Sequence, residues 1–113
     1  MPTVQSNTSV TNGTTSANVL AGNQFEFIAG PATVSVYATF PSAGTAGDLL
    51  GNVKVNNVDM ASDADLPNVD RYPIVPDDLL TSFRVPAGTH RLQLRFRNGS
   101  ATTRVVRWRV DIA

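Results

Sequence analysis

The stretch that decides the fold is Arg91-Leu92-Gln93-Leu94-Arg95-Phe96-Arg97-Asn98-Gly99, taken together with Val105-Val106-Arg107-Trp108-Arg109-Val110-Asp111-Ile112. In the first run Leu92, Leu94 and Phe96 alternate with Arg91, Gln93, Arg95 and Arg97. In the second, Val106, Trp108, Val110 and Ile112 alternate with Val105, Arg107, Arg109 and Asp111. A period of two is the mark of a strand with one dry and one wet face. Asn98-Gly99 between two such runs carries the local chemistry of a tight hairpin, because both residue types accept positive φ at low cost. The expectation is a long terminal hairpin over Thr89–Ile112, apolar on one side and studded with arginine on the other. Such a face needs a second layer to cover it.

Working outward, Thr33–Phe40 alternates again, with Val34, Val36, Ala38 and Phe40 on one side. Phe25 and Phe27 suggest a shorter strand before it, separated by a turn at Ala29-Gly30-Pro31-Ala32. Leu49–Val55 and Asn57–Met60 read as two strands around a tight turn at Asn56-Asn57. Ala61–Asp70 is acidic and polar and reads as a surface loop. In Tyr72-Pro73-Ile74-Val75-Pro76-Asp77-Asp78-Leu79-Leu80, Pro73 and Pro76 each lack a ladder donor, so this segment lies at a sheet edge or crosses between sheets. Asp77 could cap one helical turn there. Thr81–Val85 is a further strand, closed by Pro86-Ala87-Gly88. No segment sustains a 3.6-residue period.

The resulting expectation is all-β: one antiparallel β-sandwich of seven to eight short strands, jelly-roll or Greek-key in kind, over residues 18–113. Residues 1–17, rich in Thr, Ser and Asn, are expected as an extended N-terminal arm, flexible or ordered on a partner. The expected core is Phe25, Phe27, Val34, Val36, Phe40, Leu92, Leu94, Phe96, Val106, Trp108 and Val110.

At 113 residues the chain is one domain. It has no cysteine, which excludes disulfides and thiolate metal sites. No apolar run is long enough for a membrane helix, and the N-terminus has no secretory pattern, so assembly in a cytoplasm is the default expectation.

A formal charge of zero hides an uneven distribution. Asp48, Asp59, Asp63, Asp65, Asp70, Asp77 and Asp78 fall in the middle of the chain. Arg84, Arg91, Arg95, Arg97, Arg104, Arg107 and Arg109 crowd its end. Arginine's planar fork suits interfaces. An acidic region meeting an arginine face on a neighbouring subunit is therefore expected, with Arg91, Arg95, Arg97, Arg104, Arg107, Arg109, Asp63, Asp65, Asp70, Asp77 and Asp78 as its residues. The alternative is that they are solvated strand faces.

Catalytic patterns are lacking. His90 is the one histidine, the serines lie in Ser/Thr-rich loops, and nothing resembles a phosphate-cradling loop that opens a helix. Asp63-Ala64-Asp65 begins like a calcium loop but lacks the following Gly and Glu, so no metal or cofactor is expected. Stacking aromatics do not interleave with the arginines, which argues against nucleic acid. A carbohydrate-binding module would need an exposed aromatic, and Trp108 shares its face with Val106 and Val110.

The Ser/Thr/Asn-rich start, the cysteine-free β-body, the phrase Arg71-Tyr72-Pro73-Ile74-Val75-Pro76-Asp77-Asp78 and the ending Arg107-Trp108-Arg109-Val110-Asp111-Ile112-Ala113 together resemble small structural proteins of tailed-bacteriophage heads. The resemblance implies a non-enzymatic capsid decoration (cement) protein of the virion. Such a protein binds the major capsid protein and copies of itself, as a trimer or other closed ring, and stabilises an icosahedral shell. It assigns no functional residue.

Overall fold

The computed structural model describes residues 3–40, 48–69, 71–75 and 77–113. The expected loop at 41–47, Pro76 and the interface candidate Asp70 lie outside the described residues. Six antiparallel strands form one open sheet: β1 (Thr3–Val10), β2 (Phe27–Thr39), β3 (Leu49–Val55), β4 (Val58–Asp65), β5 (Leu79–Asn98) and β6 (Arg104–Ile112), in the order β1-β6-β2-β5-β3-β4. No helix occurs among the described residues.

β5 is the axis of the sheet. Its first half pairs with β2, from Tyr37 opposite Leu79 to Phe27 opposite Arg91. At Leu92 it takes up β3 on its other side, from Val55 opposite Leu92 to Leu49 opposite Asn98. The side that β2 vacates does not stay open. Residues 13–26 run along it as an irregular segment, with the Leu92 N–H donating to the Glu26 carbonyl at 2.7 Å and the Val19 N–H to the Leu94 carbonyl at 2.9 Å. Where that segment departs from strand geometry, side chains replace its backbone. Asn18 Oδ1 accepts the Leu94 N–H at 2.9 Å and Ser16 Oγ accepts the Phe96 N–H at 2.9 Å. Every second residue of the upper half of β5 is thus satisfied, as a buried backbone requires.

The sheet is strongly curled. β1 and β5 stand three places apart, yet Asn98 at the end of β5 donates its side-chain amide to the Val10 carbonyl at 2.9 Å. The curl brings Val34, Val36, Phe40, Val106, Trp108 and Val110 of one half into one cluster with Leu49, Val53, Leu92, Leu94 and Phe96 of the other. Leu20, Phe25 and Leu66 fill in from the connections. Burial of side chains of this size stabilises by about 1.5–3 kcal/mol each.

Several expectations are corrected here. The terminal hairpin does not form, because β6 lies between β1 and β2 and makes no ladder with β5. Neither Asn98 nor Gly99 takes a positive φ. Instead Asn98 is fully buried and its Oδ1 accepts the Ser100 N–H at 2.9 Å, so the connection is held by a side-chain turn. Asn56 and Asn57, by contrast, do sit at φ 50 and 67 and close the β3–β4 hairpin. The acidic stretch after Ala61 continues β4 as far as Asp65 rather than forming a loop. Gly30-Pro31 and Pro86–Gly88 are irregularities inside β2 and β5 rather than turns between strands. The strand count among the described residues is six, not seven or eight.

Residues 3–10, expected within an arm, form β1 on the chain's own β6, with Thr3 opposite Asp111 and Val10 opposite Arg104. Of the expected core, Phe27 is the exception, at 57% exposure. β2 begins at Phe27, and its buried parity runs through Ile28, Ala32, Val34 and Val36. Phe25 is buried from the irregular segment before the strand, so the two phenylalanines do not share a face.

Candidate docking surface

The side of β1, β6 and β2 that faces away from the core carries Gln5 beside Arg109 beside Tyr37, and Asn7 beside Arg107 beside Thr39. An uncovered face of this kind would leave Tyr37 and Thr39 wet, yet both are buried. The chain between β4 and β5 covers them. Thr39 Oγ1 donates to the Arg71 carbonyl at 2.6 Å, the Phe40 N–H to the Pro67 carbonyl at 3.1 Å, and the Ala38 N–H to the Asp78 carbonyl at 3.4 Å. This strap, expected at a sheet edge or crossing between sheets, lies over one face of the single sheet.

Asp78 is what closes it. The Arg71 guanidinium grips the carboxylate with Nε at 3.1 Å and a terminal nitrogen at 3.0 Å, and the Ile74 N–H donates to the same group at 3.0 Å. Burial by itself pushes the Asp78 carboxyl up. The Arg71 hydrogen bonds, the Ile74 N–H and the Arg71 charge outweigh it and hold the group below its ordinary value. The bond to Asp78 correspondingly raises Arg71. Tyr72 then lies across β6: its ring sits 5.0 Å from the Arg107 guanidinium and its hydroxyl accepts from Asn7 at 3.1 Å.

Fastened this way, the strap turns Tyr72, Ile74 and Val75 outward, at 38%, 42% and 50% exposure, next to Leu79 at 45%. Four large apolar side chains are thus exposed within eight residues of sequence. Sequence reasoning missed them, because it weighed the segment only as a sheet edge or a crossing. The signal was present in the run Tyr72, Ile74, Val75, Leu79.

Several of the charged residues pair within the chain. Arg97 pairs with Asp63 at 3.4 Å, Arg91 with Glu26 at 3.4 Å, and Arg109 with Asp111 at 2.9 Å, all within the chain. The Asp111 bond raises Arg109. Arg95 donates to the Ser16 carbonyl and Arg104 to Ser100 Oγ. Lys54 reaches Asp59 across the β3–β4 hairpin at 3.8 Å. Asp65 stands on β4 opposite Leu50, and Asp77 is exposed on the strap. One pair, Arg97 with Asp63, reaches over β3 from β5 to β4. Exposed pairs of this kind contribute about 0–1 kcal/mol each.

No three carboxylates or imidazoles converge among the described residues. Asp63, in the calcium-like stretch, is engaged by Arg97. His90 Nε2 lies 2.9 Å from the Pro86 carbonyl and Nδ1 3.0 Å from the Asn56 amide. A carbonyl can only accept, so Nε2 carries the proton and Nδ1 receives the amide N–H. The ring braces the bulge in β5 against the β3–β4 turn. Trp108 is 3% exposed. No helix of the described residues is long and apolar enough to cross a membrane. No family model matches this chain, and no curated protein does.

Proposed function

We propose that this chain is a non-enzymatic structural protein of a phage virion, a decoration protein that docks on an icosahedral shell and on copies of itself in a closed ring. We also read its curled sheet as a β-sandwich in kind, with β5 passing from one layer to the other. The observation that carries the reading is the strap. An ion pair, a cation–π contact and three anchors to Ala38, Thr39 and Phe40 hold Tyr72, Ile74 and Val75 out in water beside Leu79. Exposed apolar groups held on a fixed support mark a surface that another macromolecule covers. The arginines beside it, Arg107 and Arg109, supply a polar rim. The major capsid protein is the partner the resemblance implies for that surface.

Size-exclusion chromatography with light scattering, together with a glycan titration of Trp108 fluorescence and retention on heparin across a salt series, tests this reading against its rivals. A closed oligomer, a flat titration and no salt-dependent retention are expected. Saturable fluorescence change with a sugar would make the chain a carbohydrate-binding module. Retention that weakens steeply with salt would make it a nucleic-acid binder. A monomer at every concentration also overturns the reading.

A further inference from the structure

The two edges of the sheet are built differently. β4 is blunted in the ways that prevent edge-to-edge pairing: it carries Asp59, Asp63 and Asp65, its ladder with β3 has two register shifts, and Asp63 sits at φ 49. β1 has none of these. Its eight residues, Thr-Val-Gln-Ser-Asn-Thr-Ser-Val, include no charge and no proline, and its ladder with β6 runs unbroken from Thr3 to Val10.

The hydrogen-bond parity shows which backbone groups that edge offers. Thr33 and Ala113 exchange both of their bonds, at 2.8 and 2.9 Å, just past the point where Val34 lies opposite Ile112. Antiparallel ladders alternate, so Arg107, Arg109 and Asp111 of β6 point their backbone groups toward β2, and Val106, Trp108 and Val110 point toward β1. Their partners on β1 are Thr8, Ser6 and Val4. The other residues, Thr3, Gln5, Asn7 and Ser9, therefore aim N–H and C=O away from the sheet. All four are exposed.

We propose that this edge pairs antiparallel with the same edge of a second copy of the chain, across a twofold axis beside Ser6. One register engages all four outward residues. Thr3 stands opposite Ser9 of the second copy and Gln5 opposite its Asn7, each pair exchanging two backbone bonds, with Ser6 opposite Ser6 in the non-hydrogen-bonded position between them. The occupant follows from the chemistry of the edge. It is uncharged, so two copies meet without repulsion, and Gln5 and Asn7 bring amide side chains that can bond each other across the axis. β4 of a second copy is a poor alternative, since its acids and bulges would meet an edge with no cation to answer them. The pairing is independent of the virion reading; it concerns how copies join, whatever the assembly covers.

The chain has no cysteine, so a single introduced one reports the geometry. Ser6→Cys places two thiols across the axis at a non-hydrogen-bonded site, where Cα atoms lie about 4.5 Å apart and a disulfide can close. Thr8→Cys places them four residues out of register, roughly 13 Å apart along the strand, which is too far. Under mild oxidation Ser6→Cys should run as a covalent dimer on a non-reducing gel and Thr8→Cys as a monomer. Gln5→Pro removes an outward N–H and leaves the β6 ladder intact, and light scattering should find it monomeric where the unaltered chain has twice the monomer mass. No crosslink with Ser6→Cys, equal crosslinking of both variants, or a dimer that survives Gln5→Pro overturns the proposal. A trimer of the unaltered chain overturns it too, while leaving the closed-ring reading standing. If Gln5→Pro does not fold, the cysteine pair alone decides.

Discussion

The side-chain amide of Asn98 donates to the backbone carbonyl of Val10 at 2.9 Å, tying the end of the longest strand to the end of the edge strand. The same nitrogen reaches the Thr102 carbonyl at 2.9 Å, and Oδ1 accepts from Ser100. One buried amide thus closes the curl of the sheet and shapes the connection into β6. Asn98→Ala should remove the buried amide's bonds to the Val10 and Thr102 carbonyls and cost about 1–3 kcal/mol, read from urea unfolding.

Two glycines separate this architecture from a local hairpin. At Gly99 an added Cβ would meet nothing nearer than the Asp48 carbonyl at 3.8 Å, and φ is not positive, so Gly99→Ala should change stability by less than about 0.5 kcal/mol. At Gly30 the added Cβ would run into the Pro86 carbonyl of the paired strand, which cannot move aside without breaking the ladder. Gly30→Ala should cost about 3 kcal/mol. A tight Asn98-Gly99 hairpin turn would give a large loss at Gly99, so the thermal melts of the two variants distinguish the folds.

Trp108 fills the core between Ala38 and Ser6, but its indole N–H finds no acceptor among the described residues. Trp108→Ala should cost about 3–5 kcal/mol. Trp108→Phe removes the orphan donor along with part of the volume and should cost much less, because an unpaired buried N–H opposes folding. A large loss in Trp108→Phe, measured by denaturant titration, would mean that the N–H is satisfied.

The strap should loosen in acid. Asp78 is held below its ordinary value of 3.8, so its charged form favours the folded state. That contribution is fully present above the ordinary value and is lost as pH falls through the lowered one. Asp78→Asn should be less stable at neutral pH and should lose less on acidification below about pH 4 than the unaltered chain. Trypsin cleavage after Arg71, slow at pH 7 in the unaltered chain, should be faster in the variant as the strap detaches.

Much of this was written locally. The alternation in Thr33–Phe40, Leu49–Val55, Leu92–Phe96 and Val106–Val110 determined which side chains are buried, because a strand leaves no choice but to send neighbours to opposite faces. Asn56-Asn57 determined a turn, because both residues accept the left-handed region at little cost. Asn98-Gly99 carries equally good turn chemistry, and there the tertiary structure decided otherwise. A turn sequence permits a hairpin; it does not choose which strand lies alongside. That choice belongs to distant groups: β6 gains two neighbours by lying between β1 and β2, and Asn98 gains the Val10 carbonyl. The charges followed the same logic. Their bias along the chain was plain in sequence, but only strand order placed Asp63 beside Arg97 and Asp78 under Arg71, since Coulomb attraction acts across space and sequence separation says nothing of distance.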